Sequence, residues 1–260
     1  MITNKNWIKN LIILLLFAVA CVVCFVVVFI FQLRSISVSH VKNSREYFSV
    51  NYENLGNCYV DEGLLGNNLN HQEQEVTHKD DVVSLVDEVL TKIPEHVRPC
   101  VVENWAIVFV FEPPEFAYQY LTNINIHSVS AVTVPHIKTV FVFTLKPDSI
   151  SYVLPHEIGH VLAVEYGAMD YDKSFRSLYA LYKDSYEEDS VQAIPGYATS
   201  TPYEFFAATM SEYLVNPERL RSIAPEVAEY MEELLKEAPY DSAFEEFGVD
   251  IKEIIRKESR

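Results

Sequence analysis

The sequence predicts an α+β fold, with a small sheet beside one buried helix and a helical C-terminal part. Three observations predict it. Val82, Val83, Leu85, Val86, Val89, Leu90 and Ile93 recur at helical spacing, and Pro94 stops the run. Trp105 to Phe111, Ser128 to Val134 and Thr139 to Leu145 are rich in Val, Ile and Phe and read as strands. Beyond them come two largely apolar stretches of helical length, and after Pro217 the chain reads as helices to its end.

In chain order, residues 1–10 form a short polar tail. From Leu11 to Leu33 there is no charge. These 23 residues, at about 1.5 Å each, span the roughly 30 Å hydrocarbon layer of a bilayer. A secretory signal has a shorter apolar core that ends at small residues. Ala18-Val19-Ala20 fits such a cleavage site, but the apolar run continues past it, so residues 11–33 are expected to be an uncleaved, single-pass transmembrane helix. Secretion after signal cleavage is the alternative. Lys5 and Lys9 on one side nearly balance Arg34, Lys42 and Arg45 on the other, so flanking charge does not orient the span. A short N-terminal tail favours an extracellular C-terminal part. Cys21 and Cys24 lie within the span and read as small apolar residues; Cys58 and Cys100 could pair if exported. Residues 34–77 are polar, without a sustained apolar period, and read as a stalk or extension. Residues 78–260 form the folded domain, long enough to bury a sizeable core.

Within that domain lies His156-Glu157-Ile158-Gly159-His160. On a helix, residues four apart lie on one face, so both histidines can point a ring nitrogen at one metal ion. Glu157 lies beside them, placed to take a proton from water activated by the metal. Zinc suits imidazole and carboxylate ligands and works with an open coordination position. Ser149 to Leu154 and Val161 to Val164 are mostly apolar, as a buried helix requires. Gly159 leaves space beside the metal. Pro155 either starts this helix or kinks one begun near Asp148.

A catalytic zinc site takes three protein ligands, so one lies elsewhere. Downstream candidates are Glu165, Asp170, Asp172, Glu187, Glu188, Asp189, Glu204 and Glu212. Glu165 is five residues past His160 and points away from the histidine face. Residues 183–190 form an acidic, solvated stretch. Glu204 opens an apolar helix, Phe205 to Leu214. It also completes a capping box with Thr201 as N-cap and Pro202 as first residue, a use that competes for the same carboxylate.

The set His156-Glu157-x-x-His160, then Tyr197, then Glu204 with Phe205-Phe206-Ala207, resembles the lethal-factor-like zinc peptidases. That group includes the catalytic domain of anthrax lethal factor and the bacterial Pro-Pro endopeptidases. Its members carry a tyrosine seven residues before the glutamate, as Tyr197 stands before Glu204. The resemblance covers residues 150 to 235 most closely, including Tyr213 to Leu220 and Ala224-Pro225. It implies a zincin-like fold for residues 78–260, one zinc ion per chain on His156, His160 and Glu204, and Tyr197 as an oxyanion stabiliser. It implies no particular cleavage site.

The expectation is therefore a membrane-anchored zinc endopeptidase acting on protein or peptide substrates, with Glu157 and Tyr197 catalytic. A sheet edge beside the motif helix would hold extended substrate, and Thr139 to Leu145, just before that helix, is the expected edge; an ordinary core strand is the equal alternative. A net charge of −17 disfavours nucleic acid as a partner. A catalytically inactive, membrane-tethered binding module on the same fold is the alternative function. A closed structural zinc site fares poorly, because no cysteine follows Cys100.

Overall fold

The computed structural model describes residues 45, 47–61, 64, 78–122, 124–167, 173–186 and 195–239. The chain divides between Asn43 and Ser44, and every described residue belongs to the second part. The expected tail 1–10 and transmembrane segment 11–33 lie outside the described residues. Among those described, no helix is long and apolar enough to cross a membrane.

The fold is mixed α+β, with a five-stranded sheet and helices. The strands are β1 (Glu53–Asn54), β2 (Tyr59–Val60), β3 (Ala106–Phe109), β4 (Ala131–Val134) and β5 (Thr139–Val142), in the order β1-β2-β3-β5-β4. β2, β3 and β5 run parallel, and β1 and β4 are antiparallel to their neighbours. The helices are α1 (Lys79–Thr91), α2 (Arg98–Val102), α3 (Pro147–Glu165), α4 (Lys173–Tyr182), α5 (Pro202–Val215), α6 (Pro217–Ile223) and α7 (Pro225–Leu234).

Side chains alternate across the sheet and feed two cores. Val60, Ile107, Phe109, Val140 and Val142 join the helices in the larger core. Tyr59, Ala106, Val108, Val134 and Phe141 pack with Phe48, Ala117, Leu121 and Ile137 in the smaller one. With both faces covered, β3 and β5 are buried at every position, which explains why their residues are apolar apart from Thr139.

Two expectations are corrected. Part of the expected stalk, 34–77, is integral to the domain. β2 pairs with β3, and Phe48, Cys58, Val60 and Leu64 are buried. Two-residue strands carry no period that a sequence pattern can reveal. The second correction concerns the sheet edge. β5 lies between β3 and β4, so the strand Thr139 to Leu145 is interior, and β4 is the edge beside α3.

The three expected strands are otherwise present but shorter. The Ser128 to Val134 run loses its start, where a 3₁₀ turn occupies Ile126–Ser128, with the Asn125 side chain accepting from the His127 N–H at 3.2 Å. β4 and β5 form a hairpin whose turn ends at Lys138, in the left-handed region at φ 45°. The Lys138 ammonium reaches Glu165 Oε1 at 2.9 Å, and the Trp105 indole N–H donates to the same oxygen at 2.7 Å. This buried charge, with two donors, ties the C-terminal end of α3 to the sheet.

Candidate metal centre

The site is built where α3 crosses α5. α3 starts at Pro147 and continues through Pro155, so the proline lies inside the helix that carries the motif. An interior proline removes one backbone hydrogen bond; here every residue from Leu154 to Ala163 is buried, as is Glu165, while Val164 is only partly so. α5 begins as its local sequence dictates. Thr201 is the N-cap, its hydroxyl oxygen accepting from the Glu204 N–H at 3.1 Å, and Pro202 is the first helical residue.

Gly159 is what brings the two helices together. A Cβ built there would lie 2.5 Å from the Ala207 carbonyl oxygen and 2.7 Å from Ala207 Cα. The space Gly159 leaves is thus filled by the backbone of α5. This corrects the expectation that it opens room beside the metal.

The crossing carries Glu204 over the histidine face of α3. Glu204 Oε2 lies 3.1 Å from His156 Nε2 and 3.3 Å from His160 Nε2. The two imidazole rings are 4.8 Å apart and nearly perpendicular, at 85°. Ligand atoms of the three residues all lie within 4.8 Å of one another, so the group can hold a metal ion. The spacing suits one: four ligands about 2.0–2.1 Å from a tetrahedral ion stand about 3.3 Å from each other. Burial alone would raise the Glu204 carboxyl pKa, but hydrogen bonds from His156 and His160 outweigh it and hold the group at about 2. The carboxylate therefore faces the histidines in its charged form, the form a metal ligand needs.

Glu157 is buried on the same turn of α3. Its Oε2 accepts a hydrogen bond from Thr133 Oγ1 of β4 at 2.5 Å. Tyr197 is also brought to the site. It sits on the turn before α5, half exposed, with its ring centroid 6.1 Å from that of His156.

The remaining acidic candidates separate cleanly. Glu165 is engaged by Lys138 and Trp105, and Glu212 by Arg219 at 3.0 Å. Asp170, Asp172, Glu187, Glu188 and Asp189 lie outside the described residues.

Two neighbours were not singled out in the sequence. Tyr203 stacks on His160, with centroids 4.1 Å apart and planes at 26°. His160 Nδ1 is buried without a hydrogen-bond partner among the described residues, so this stack contributes to fixing the ring. Thr133 is the other. Its one signal in the sequence was a hydroxyl within the apolar run Ala131-Val132-Thr133-Val134. No family model matches the chain, and no curated protein does.

Proposed function

We propose that this chain is a membrane-anchored, zinc-dependent endopeptidase with a zincin-like domain of the lethal-factor-like kind. One observation carries the reading: His156 Nε2, His160 Nε2 and a charged Glu204 converge beside the buried Glu157, whose carboxylate is hydrogen-bonded to β4, the edge strand of the sheet among the described residues. His156, His160 and Glu204 would hold one zinc ion. Bound there, zinc supplies Lewis-acid polarisation of a carbonyl and activation of water.

The chain's own residues do the rest. Glu157 takes a proton from water as the water oxygen adds to the scissile carbonyl carbon. It then delivers that proton to the leaving amine as the C–N bond breaks. Tyr197 donates a hydrogen bond to the oxyanion. β4, rather than the strand that follows it, offers backbone groups to an extended peptide. Residues 11–33 serve as the anchor, with the catalytic domain outside the cell.

The test uses the full chain in detergent micelles against a diverse peptide library, with and without a zinc chelator. Cleavage should depend on zinc, and Glu157→Gln should lower the rate constant about 10²- to 10⁴-fold, the contribution of a positioned general base. Peptides bound but never cut by the zinc-loaded wild type would support the inactive binding module instead. Cleavage that survives complete removal of zinc would contradict the mechanism.

A further inference from the structure

We infer that Thr133 is a positioning residue of the reaction, holding the Glu157 carboxylate from the same strand that pairs with the peptide. The inference rests on the hydrolase reading above.

The register of β4 places Thr133 for both tasks. The Phe143 N–H donates to the Ser130 carbonyl at 2.8 Å. Ala131 stands opposite Val142, Val132 opposite Phe141, Thr133 opposite Val140 and Val134 opposite Thr139. In an antiparallel ladder, hydrogen-bonded pairs alternate with non-bonded ones. Ser130, Val132 and Val134 therefore turn their backbone groups toward β5. The backbone N–H and C=O of Ala131 and Thr133 point away from β5, on the side where no further strand pairs among the described residues.

Side chains alternate on the perpendicular axis. Val132 and Val134 enter the smaller core, while Ala131 packs on the helix side. Thr133, two residues from Ala131, points the same way and reaches α3. Its hydroxyl is 2.5 Å from Glu157 Oε2 and 3.2 Å from the Glu157 carbonyl oxygen. A hydroxyl has one proton to donate, and the shorter contact, to the carboxylate, takes it.

One residue thus presents its backbone to the substrate strand and its side chain to the base. Engaging Oε2 fixes the carboxylate's rotation and leaves Oε1 as the oxygen that receives the proton. Thr133 keeps its own proton throughout: water gives one to Glu157, and Glu157 gives it to the amine nitrogen. A peptide seated on β4 is positioned by the residue that also positions the base.

The experiment compares Thr133→Val, which keeps shape and loses the hydroxyl, with Thr133→Ser, which keeps the hydroxyl. Full chains in detergent are assayed on a peptide that the wild type cleaves. Thr133→Val should lower kcat about 10- to 100-fold, in line with loss of a hydrogen bond to a charged group, with KM changed less than about twofold. Thr133→Ser should restore most of the rate. Zinc content should match the wild type in both, and Tm should fall by no more than a few degrees in Thr133→Val, as loss of one hydrogen bond requires, and recover in Thr133→Ser. In glutamate-labelled chain, the ¹³C carboxyl signal that Glu157→Gln removes should shift in Thr133→Val and return in Thr133→Ser. A Thr133→Val kcat equal to wild type, a loss that serine does not restore, or a raised KM with unchanged kcat would each overturn the positioning role alone. Absence of cleavage by wild-type chain would overturn the hydrolase reading, and this inference with it.

Discussion

Glu204 shows how one residue meets two demands. Its backbone N–H goes to Thr201 and its carboxylate to the two histidines. Sequence spacing supported both uses and could not choose, because a capping box and a ligand need the same residue type at the same place. The lowered pKa gives a signed test in chelator-treated chain. A carboxyl held at about 2, against an ordinary 4.5, stabilises the fold at pH above its unfolded value and loses that contribution as pH falls toward 2. The Tm gap between wild type and Glu204→Gln should be full at neutral pH and shrink steadily through the acid range. A gap that stays constant down to the acid limit would mean that the histidines do not set this pKa. The motif residues were legible because the i, i+4 rule is local. Tyr203 and Thr133 were not, because each meets the site only after α5 and β4 pack on α3.

The crossing of α3 and α5 sets the site at the next scale. An exposed helix glycine replaced by alanine gains about 1 kcal/mol from propensity. At Gly159 the added methyl would meet the backbone of α5, which cannot swing aside as a side chain can. Overpacking of this kind costs about 1–3 kcal/mol, so it offsets or exceeds the gain. Gly159→Ala should therefore fail to stabilise the chain, and by displacing Glu204 from the histidines it should weaken zinc binding about tenfold, or roughly 1.4 kcal/mol. Calorimetric unfolding together with chelator competition would measure both. A stabilised variant with wild-type zinc affinity would show that the helices can part without cost. The helix and the α5 cap were readable from local pattern; whether Pro155 starts α3 or lies inside it was not, and the structure places it inside. Strand order was not: β4 and β5 are similar apolar runs in sequence, and only the hairpin that carries β4 outward makes it the edge.

The whole domain reaches further toward the N-terminus than polarity suggested. Phe48, Cys58, Val60 and Leu64 are buried, and β2 covers the side of β3 away from β5. Four such side chains, at about 1.5–3 kcal/mol each, rival the 5–15 kcal/mol total stability of a typical domain. A chain beginning at residue 44 should therefore unfold cooperatively, and one beginning at residue 76 should be largely unfolded by circular dichroism. Equal stability of the two would remove residues 44–75 from the folding unit. The assembled whole also decides the central claim, that α3 and α5 together make a three-ligand metal centre. Zinc per chain, measured by elemental analysis after exhaustive removal of loosely bound metal, tests it most directly in wild type, Glu204→Ala and Thr201→Ala. Wild type should hold one zinc per chain, and Glu204→Ala should lose stoichiometric zinc. Thr201→Ala should retain it, because it gives up only a helix cap worth about 1 kcal/mol. Stoichiometric zinc in Glu204→Ala, with only its thermal stability reduced, would contradict the central claim.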